Sequence, residues 1–342
     1  MTDSKPLAEH GGVTALRRVL LLNKAVLFSI ILAIALSLTS PYFLLQQNLV
    51  ALLEQIVVMT VVALGYTLVL ATGEIDLSLG GVVALVGVVM AKLMTQYGIP
   101  VELAIMAGIV LGAACGALNA ALVSRFNLPS FIVTLATGAL FTGTLYIISN
   151  LVPVSNLPPE FLAISRTRIG PVPLPVLLLI PVVVVFYVIA TKTVFGQHVI
   201  ALGGNPEAVR VAGINIERLR LKVFMIAGAC FAVGGVLLTA RSASAQIAAG
   251  SNLLLLVITA VVIGGTPLLG GRANMIGTVF GCLILGMISN GMNLLGVNAN
   301  YQIVVQGLLI LLALVLDIES TRLLLKLDKR SMQRRRLSGE QP

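Results

Sequence analysis

The stretch VALLEQIVVMTVVALGYTLVLA, residues 50–71, decides the fold class of this chain, because Glu54 is the single charged residue in a predominantly apolar run. A helix needs about 20 apolar residues to cross the roughly 30 Å hydrocarbon core of a bilayer. Residues 50–71 are therefore long enough and apolar enough to cross a membrane as one α-helix.

Similar apolar runs occur along the rest of the 342-residue chain, which is 58% hydrophobic, 10% charged and has a mean hydropathy of +1.05. Soluble domains carry about 25% charged residues, so the composition excludes an ordinary soluble protein. Segments that cross lipid must satisfy their backbone hydrogen bonds as helices or within a closed barrel. Because long apolar runs lack the alternation of a barrel strand, we predict an all-α, polytopic membrane helical bundle.

Ten apolar segments are candidate transmembrane helices. They are 25–40, 50–71, 81–96, 101–123, 130–150, 172–190, 222–240, 253–266, 275–295 and 301–317. The predicted domains are an N-terminal tail at 1–24, a transmembrane domain at 25–317 and a basic C-terminal tail at 318–342. The first span follows basic residues, as a secretory signal does, but no small-x-small cleavage pattern occurs before Pro41, so we interpret it as a retained helix.

Lysine and arginine are distributed unevenly between the two sides that ten spans define. All 22 except Lys92, Arg166, Arg168 and Arg241 fall in tails and loops on one side. Because cytoplasmic loops carry an excess of Lys and Arg, we predict that both termini are cytoplasmic, which requires an even number of spans. The basic tail is expected to contact anionic membrane lipid, and no nucleic acid partner is predicted.

The largest predicted cytoplasmic loop, 191–221, contains the segment Gly203-Gly204-Asn205-Pro206-Glu207-Ala208-Val209-Arg210-Val211-Ala212-Gly213. Asn205 suits a helix cap, Pro206 the first helical position and Gly213 a left-handed stop. We therefore predict a two-turn helix, followed by a second helix that begins at Asn215 and continues into the seventh span. From local chemistry alone the segment is either an ordered connector or a docking helix for another protein.

Five segments of the chain resemble, in order, the ribose-type sugar permeases of bacterial ATP-binding-cassette importers. They are Gly73-Glu74-Ile75-Asp76-Leu77-Ser78, Leu128-Pro129-Ser130-Phe131-Ile132-Val133-Thr134-Leu135, Gly203-Gly204-Asn205-Pro206-Glu207-Ala208 with Ala212-Gly213-Ile214, Ile263-Gly264-Gly265-Thr266 with Leu269-Gly270-Gly271, and Asn290-Gly291-Met292-Asn293-Leu294-Leu295-Gly296. These segments extend over nearly the whole chain, and together with the predicted topology they are specific to that family.

The resemblance implies a permease subunit rather than an enzyme. Two copies would form the path across the bacterial inner membrane, ABC ATPase subunits using ATP and Mg would dock at the coupling loop, 191–221, and a periplasmic solute-binding protein would deliver a small sugar. The residues implied in coupling are Gly203, Gly204, Asn205, Pro206, Glu207, Ala208, Arg210 and Gly213. The sequence has no Gly-x-x-x-x-Gly-Lys-Ser/Thr phosphate loop, so no cofactor is predicted to bind this chain itself.

Interrupted apolar segments are typical of transport paths, and interruptions occur at 73–81 and 264–271. If these are surface turns, Asp76 only caps the helix that follows. Ionisable groups within spans are functional candidates by default, and amides and hydroxyls there can bind a neutral polyol or join helices. The path candidates are Glu54, Gln55, Asp76, Thr134, Asn290 and Asn293.

An ion-gradient-driven secondary transporter is the alternative function, because it would also be polytopic with broken helices. Such carriers need buried ionisable relays, whereas Glu54 is almost alone within a span.

A membrane-embedded enzyme is disfavoured, because the chain has two histidines and no His-Glu-x-x-His motif. The three cysteines have no paired spacing, so no disulfide or metal site is predicted. The solute stays open among pentoses, hexoses, related polyols, autoinducer-like compounds and nucleosides.

Overall fold

The computed structural model describes residues 24–298, 300–312 and 315, and within them the chain is a bundle of α-helices with one short β-hairpin. The helices are α1 (Lys24–Thr39), α2 (Gln46–Ala71), α3 (Leu79–Thr95), α4 (Val101–Phe126), α5 (Ser130–Ser149), α6 (Pro159–Arg166), α7 (Leu174–Lys192), α8 (Val194–Gly204), α9 (Pro206–Val211), α10 (Ile216–Ser242), α11 (Leu253–Ile263), α12 (Met275–Leu294) and α13 (Asn300–Leu312). The hairpin pairs β1 (Arg168–Ile169) with β2 (Val172–Pro173) in antiparallel register.

Six of the described helices, α2, α4, α5, α7, α10 and α12, are long and apolar enough to cross a membrane. α1, α3, α8, α11 and α13 are apolar but shorter. This pattern confirms a helical membrane protein, and a helix lies at each of the ten predicted spans. The predicted tails at 1–24, apart from Lys24, and at 318–342 lie outside the described residues, as does the end of the last predicted span.

The core of the bundle is built around α2. From Ile56 to Ala71 every residue of this helix is buried, so it is surrounded by protein rather than by lipid. α10 packs against both α2 and α4, and the rings of Tyr66 and Phe231 lie 6.5 Å apart between α2 and α10. Gly116 of α4 lies directly against the Phe224 carbonyl of α10. The two backbones can approach this closely because glycine has no side chain.

Successive helices place their connections at two ends of the bundle. The first, which we call the coupling-loop end, contains the connections 72–78, 127–129, 193–215 and 264–274. There the Gly271 N–H donates to the Ala71 carbonyl at 3.0 Å. These connections therefore contact one another, although they are far apart in sequence.

The opposite end contains the long connection between α5 and α7. Val154 in this connection and Ala245, which follows α10, exchange backbone hydrogen bonds of 3.2 and 2.9 Å. Arg168 in the hairpin lies 3.6 Å from the Glu54 carboxylate. This connection is thus fixed to α2 and to the residues that follow α10.

Candidate coupling site and translocation-path residues

The short helix predicted in the coupling loop is present as α9. The Ala208 N–H donates to Asn205 Oδ1 at 3.0 Å, which caps the helix, and Pro206 occupies its first position. Gly213 follows with a φ of +76°, as the predicted left-handed stop requires. The local sequence alone was sufficient for this prediction, because each signal acts within one or two turns.

Two further capped helices flank α9. Thr193 accepts a hydrogen bond from the Gly196 N–H at 3.1 Å and begins α8, a helix that the sequence reasoning missed. Asn215 accepts from the Arg218 N–H at 2.8 Å and begins α10, as predicted. The coupling loop therefore contains the starts of three capped helices, and only four residues separate α9 from α10.

The surface of α9 is available for contact with another protein. Asn205, Pro206, Glu207, Ala208 and Arg210 are all exposed. The exception in this helix is Val209, which is buried and anchors it to the bundle. A short helix that is held by one buried residue and is otherwise exposed presents a surface on which a partner protein can dock.

Three of the segments that resemble the permease family contact one another at the end of α8. A side chain at Gly203 would overlap the Ala71 carbonyl and the Gly271 amide, so the end of α8 lies directly on both backbones. Gly270 in turn lies against the backbone of Gly73. We call this contact of Ala71, Gly73, Gly203, Gly270 and Gly271 the glycine junction. It joins the coupling loop to the end of α2 and to the connection before α12.

An ion pair adds a second link. Arg220 near the start of α10 lies with Nη2 2.7 Å from Glu74 Oε1, and its Nη1 donates to Ser124 Oγ at 3.0 Å. The Arg220 and Glu74 side chains are only 19% and 14% exposed. Because Glu74 and Arg220 are 146 residues apart, no local pattern could have predicted the pair. The contact connects α10 to the segment after α2 and to the end of α4.

An open cleft of about 420 Å³ lies between α9 and this ion pair. Its lining includes Thr72, Glu74, Asn127, Arg210 and Arg220. The cleft separates the exposed part of the coupling loop from the connections after α2 and α4.

Asp76 is buried, with 1% of its surface exposed, in the connection between α2 and α3. Its Oδ1 accepts hydrogen bonds from the N–H and the hydroxyl of Ser78, at 2.8 and 2.6 Å. Asn119 donates to the same Ser78 hydroxyl at 2.8 Å and accepts from Thr137 at 2.6 Å. The carboxylate is therefore held within a network that fixes the start of α3 against α4 and α5.

Thr134 on α5 is also buried beside this connection. Its hydroxyl accepts a hydrogen bond from the Leu77 N–H at 2.9 Å and lies 2.8 Å from the Ser130 carbonyl. Ser130 Oγ accepts from the Ile75 N–H at 3.1 Å. Side chains of α5 thus supply partners for backbone groups of the irregular segment 74–78, as such a segment between membrane helices requires.

Glu54 and Gln55 are half-buried on α2 towards the opposite end. Arg241, at the end of α10, lines the same small cavity as Glu54. With Arg168 nearby, the carboxylate has cationic side chains from two other segments around it. The predicted path role of Glu54 and Gln55 stays a prediction.

Asn290 and Asn293 lie near the end of α12. Asn290 and Asn48 form a reciprocal amide pair, with Nδ2 to Oδ1 distances of 2.7 and 3.1 Å. Asn293 accepts from Gln302 Nε2 at 2.7 Å. These contacts join α12 to α2 and to α13.

In the described part of the chain, no group of three or more His, Cys, Asp or Glu residues could hold a metal ion.

Comparison with known proteins identifies the class. Residues 48–314 match the family described as "Branched-chain amino acid transport system / permease component". The chain is 38% identical over 289 residues to the ribose import permease protein RbsC of Bacillus subtilis (strain 168), covering 84% of this chain and 89% of the relative. It is 36% identical over 291 residues to the D-allose transport system permease protein AlsC of Escherichia coli (strain K12), covering 85% and 89%. It is 31% identical over 316 residues to the fructose import permease protein FrcC of Rhizobium meliloti, covering 90% and 86%.

The chain belongs to this family of membrane permease components. The resemblance predicted from the five segments is confirmed, and the protein is a multi-pass membrane permease component rather than an enzyme. No solved structure matches the chain.

Proposed function

We propose that this chain is the membrane-spanning subunit of a bacterial inner-membrane importer that is driven by ABC ATPases and carries a small sugar. The observation that carries this proposal is the exposed, capped helix α9, which is tied to the bundle through the glycine junction and Arg220. An exposed helix joined to the bundle in this way is what coupling to a separate ATPase subunit requires. Family membership and the sugar permeases among the relatives support the same function.

The proposed mechanism is a transfer of motion from the ATPases to the spanning helices. ATP and Mg bind in the partner subunits, whose closure moves α9 at the coupling-loop end. α10 has 27 residues, which is about 40 Å at 1.5 Å per residue, enough to extend across the bilayer. Movement of α9 is therefore passed along α10 and, through the glycine junction, to α2 and α12. Two packings of the bundle then expose the path to one side of the membrane or to the other.

The assembly we propose has two copies of this chain, two ABC ATPase subunits and a periplasmic solute-binding protein. Each copy has ten spans and cytoplasmic termini, with lipid around the apolar outer helices. Exposed apolar side chains on α1, α4, α5 and α7 fit this environment. The coupling loop at 191–221 is the ATPase contact, and the transmembrane domain at 25–317 contains the path.

A sugar is favoured over a branched-chain amino acid as the solute. The family description names amino acid transport, but the three relatives reported above, which match along most of this chain, are named for ribose, allose and fructose. We expect selectivity among sugars to depend largely on the solute-binding protein.

Purification of the tagged chain from its native membrane in mild detergent tests the assembly. We expect an ABC ATPase at equal abundance, and uptake of D-ribose or a related sugar that stops when ATP is depleted. A chain that purifies alone and supports uptake in vesicles without ATP, with loss of uptake on addition of an uncoupler, would establish the secondary transporter instead.

The docking role of α9 is tested by Ala208→Arg, which adds bulk and charge to an exposed position. We expect sugar uptake to fall at least tenfold and the ATPase to be lost from the purified complex, because a groove that fits an alanine cannot accommodate arginine. Ala163→Arg is the matched control, since Ala163 is an exposed alanine on the short helix α6 at the opposite end. Normal uptake and ATPase recovery in Ala208→Arg would contradict docking at α9.

A further inference from the structure

The connection between α10 and α11 differs from an ordinary surface loop. α11 has 11 residues and extends about 16 Å, which is roughly half of the hydrocarbon core of a bilayer. Residues 243–252, which precede it, are turns and bends rather than helix. The segment that crosses back from the end of α10 is therefore helical over only part of its length.

Contacts with neighbouring helices give the depth of this connection. It starts at the opposite end, where Ala245 pairs with Val154. Further along, Gly250 lies directly against the backbone of Gly80, the second residue of α3. Gly81 faces Gly138, close to the midpoint of the 20-residue helix α5. The connection thus reaches from the end of the bundle to about half the depth of α5.

Polar side chains of this connection are exposed on the surface of the single chain. Gln246, Ser251 and Asn252 are all exposed. Asn252 directly precedes α11 but makes no side-chain cap for it. The Ser251 hydroxyl donates to the Ala248 carbonyl at 2.9 Å, but hydrocarbon provides no partners for the Gln246 and Asn252 amides or for the irregular backbone around them. This surface must therefore face water or protein rather than lipid.

We propose that residues 246–252 line the translocation path, with the side chains of Gln246, Ser251 and Asn252 in contact with the solute as it passes. The proposal rests on the proposed function as a transport subunit. Amides supply both donors and acceptors, and a hydroxyl supplies one donor and two acceptor sites. This combination matches the hydroxyl groups of a neutral sugar and needs no charge on the solute. A path between two copies of the chain accounts for exposed polar groups at this depth.

Thiol labelling tests the position of these residues. The native cysteines Cys115, Cys230 and Cys282 are buried, so the unsubstituted chain gives a low background. We expect Asn252→Cys and Gln246→Cys to react with a membrane-impermeant methanethiosulfonate reagent at least tenfold faster than Val110→Cys. Val110 is the matched control, because it is 67% exposed near the middle of α4 on an apolar surface. Equal rates for the three variants would overturn the proposal.

Reversible block of transport separates a path residue from a residue of an external loop. Uptake of D-ribose by Asn252→Cys should fall at least tenfold after labelling and recover after dithiothreitol removes the adduct. Because the same folded protein is measured before and after, misfolding cannot imitate this result. Gln246→Cys gives a second position if Asn252→Cys transports poorly before labelling. Complete labelling with unchanged uptake at both positions would overturn the proposal.

The two proposals fail in different ways. If the unsubstituted chain purifies without an ATPase and does not support sugar uptake, the proposed function is wrong, whereas the labelling rates still report whether residues 246–252 face water. If uptake requires ATP but labelling at Gln246 and Asn252 has no effect on it, the importer function holds and the path lies elsewhere.

Discussion

Replacement of Arg220 by alanine is expected to lower the free energy of unfolding by about 3 kcal/mol, because it leaves the Glu74 carboxylate without its partner in a largely buried position. The two side chains are 19% and 14% exposed, and the Nη2 to Oε1 distance is 2.7 Å. The Ser124 hydroxyl also loses its donor. Of the changes considered, this one has the largest expected effect on stability.

Thermal unfolding in detergent measures this effect, and the chain offers a matched control on the same face. Arg210 pairs with Glu207 at 3.2 Å, but these side chains are 70% and 73% exposed. Exposed pairs contribute about 0 to 1 kcal/mol, so Arg210→Ala should change stability little. Glu74→Gln in the Arg220→Ala background should restore part of the loss, since it removes the unpaired charge. Equal losses for Arg220→Ala and Arg210→Ala would show that the Glu74 pair is not stabilising.

Replacement of Gly203 by alanine is expected to reduce ATP-driven uptake at least tenfold. Its methyl group would overlap the Ala71 carbonyl and the Gly271 amide, which belong to two different segments of the glycine junction. Because backbone atoms cannot rotate away as a flexible side chain can, the segments must separate, at a cost of about 1–3 kcal/mol. The coupling loop would then be displaced from the ends of α2 and α12.

Gly204 supplies the packing control for this prediction, because an added methyl group there would meet no atom of another segment within 4 Å. Gly204→Ala should therefore leave the packing of the glycine junction and the thermal stability unchanged. Two quantities should be compared for each variant: the rate of sugar uptake and the amount of ATPase that copurifies with the chain. Gly203→Ala should retain its ATPase, because α9 stays exposed, while uptake is lost. Normal uptake in Gly203→Ala would show that close contact at the glycine junction is not needed for coupling.

Local patterns account for the parts of the site that sequence alone predicts. The Asn205 cap, the start at Pro206 and the stop at Gly213 are each present as predicted. These signals involve neighbouring residues and depend little on the rest of the fold. α8 was missed, because its apolar residues resemble a continuation of the preceding span and its Thr193 cap follows directly after Lys192.

Long-range contacts were beyond sequence reasoning. Asp76 and Thr134 were predicted as path candidates from their residue type, and the structure places both in hydrogen bonds to the chain itself. Asn290 was predicted as a path candidate, but its hydrogen-bond partner Asn48, which is 242 residues away, was not predicted. Nothing local to either residue indicates such a pairing, so a single sequence gives the candidates but not their contacts.

The sequence by itself determined that this protein is a helical membrane protein with a capped helix in its largest loop, because the length of apolar runs and the chemistry of helix ends are local properties. Only the tertiary structure decided that Gly73, Gly203 and Gly271 meet at one junction and that Gly250 lies against the backbone of Gly80. The physical reason is that both results depend on how closely separate backbones pack, which is a property of pairs of segments distant in sequence.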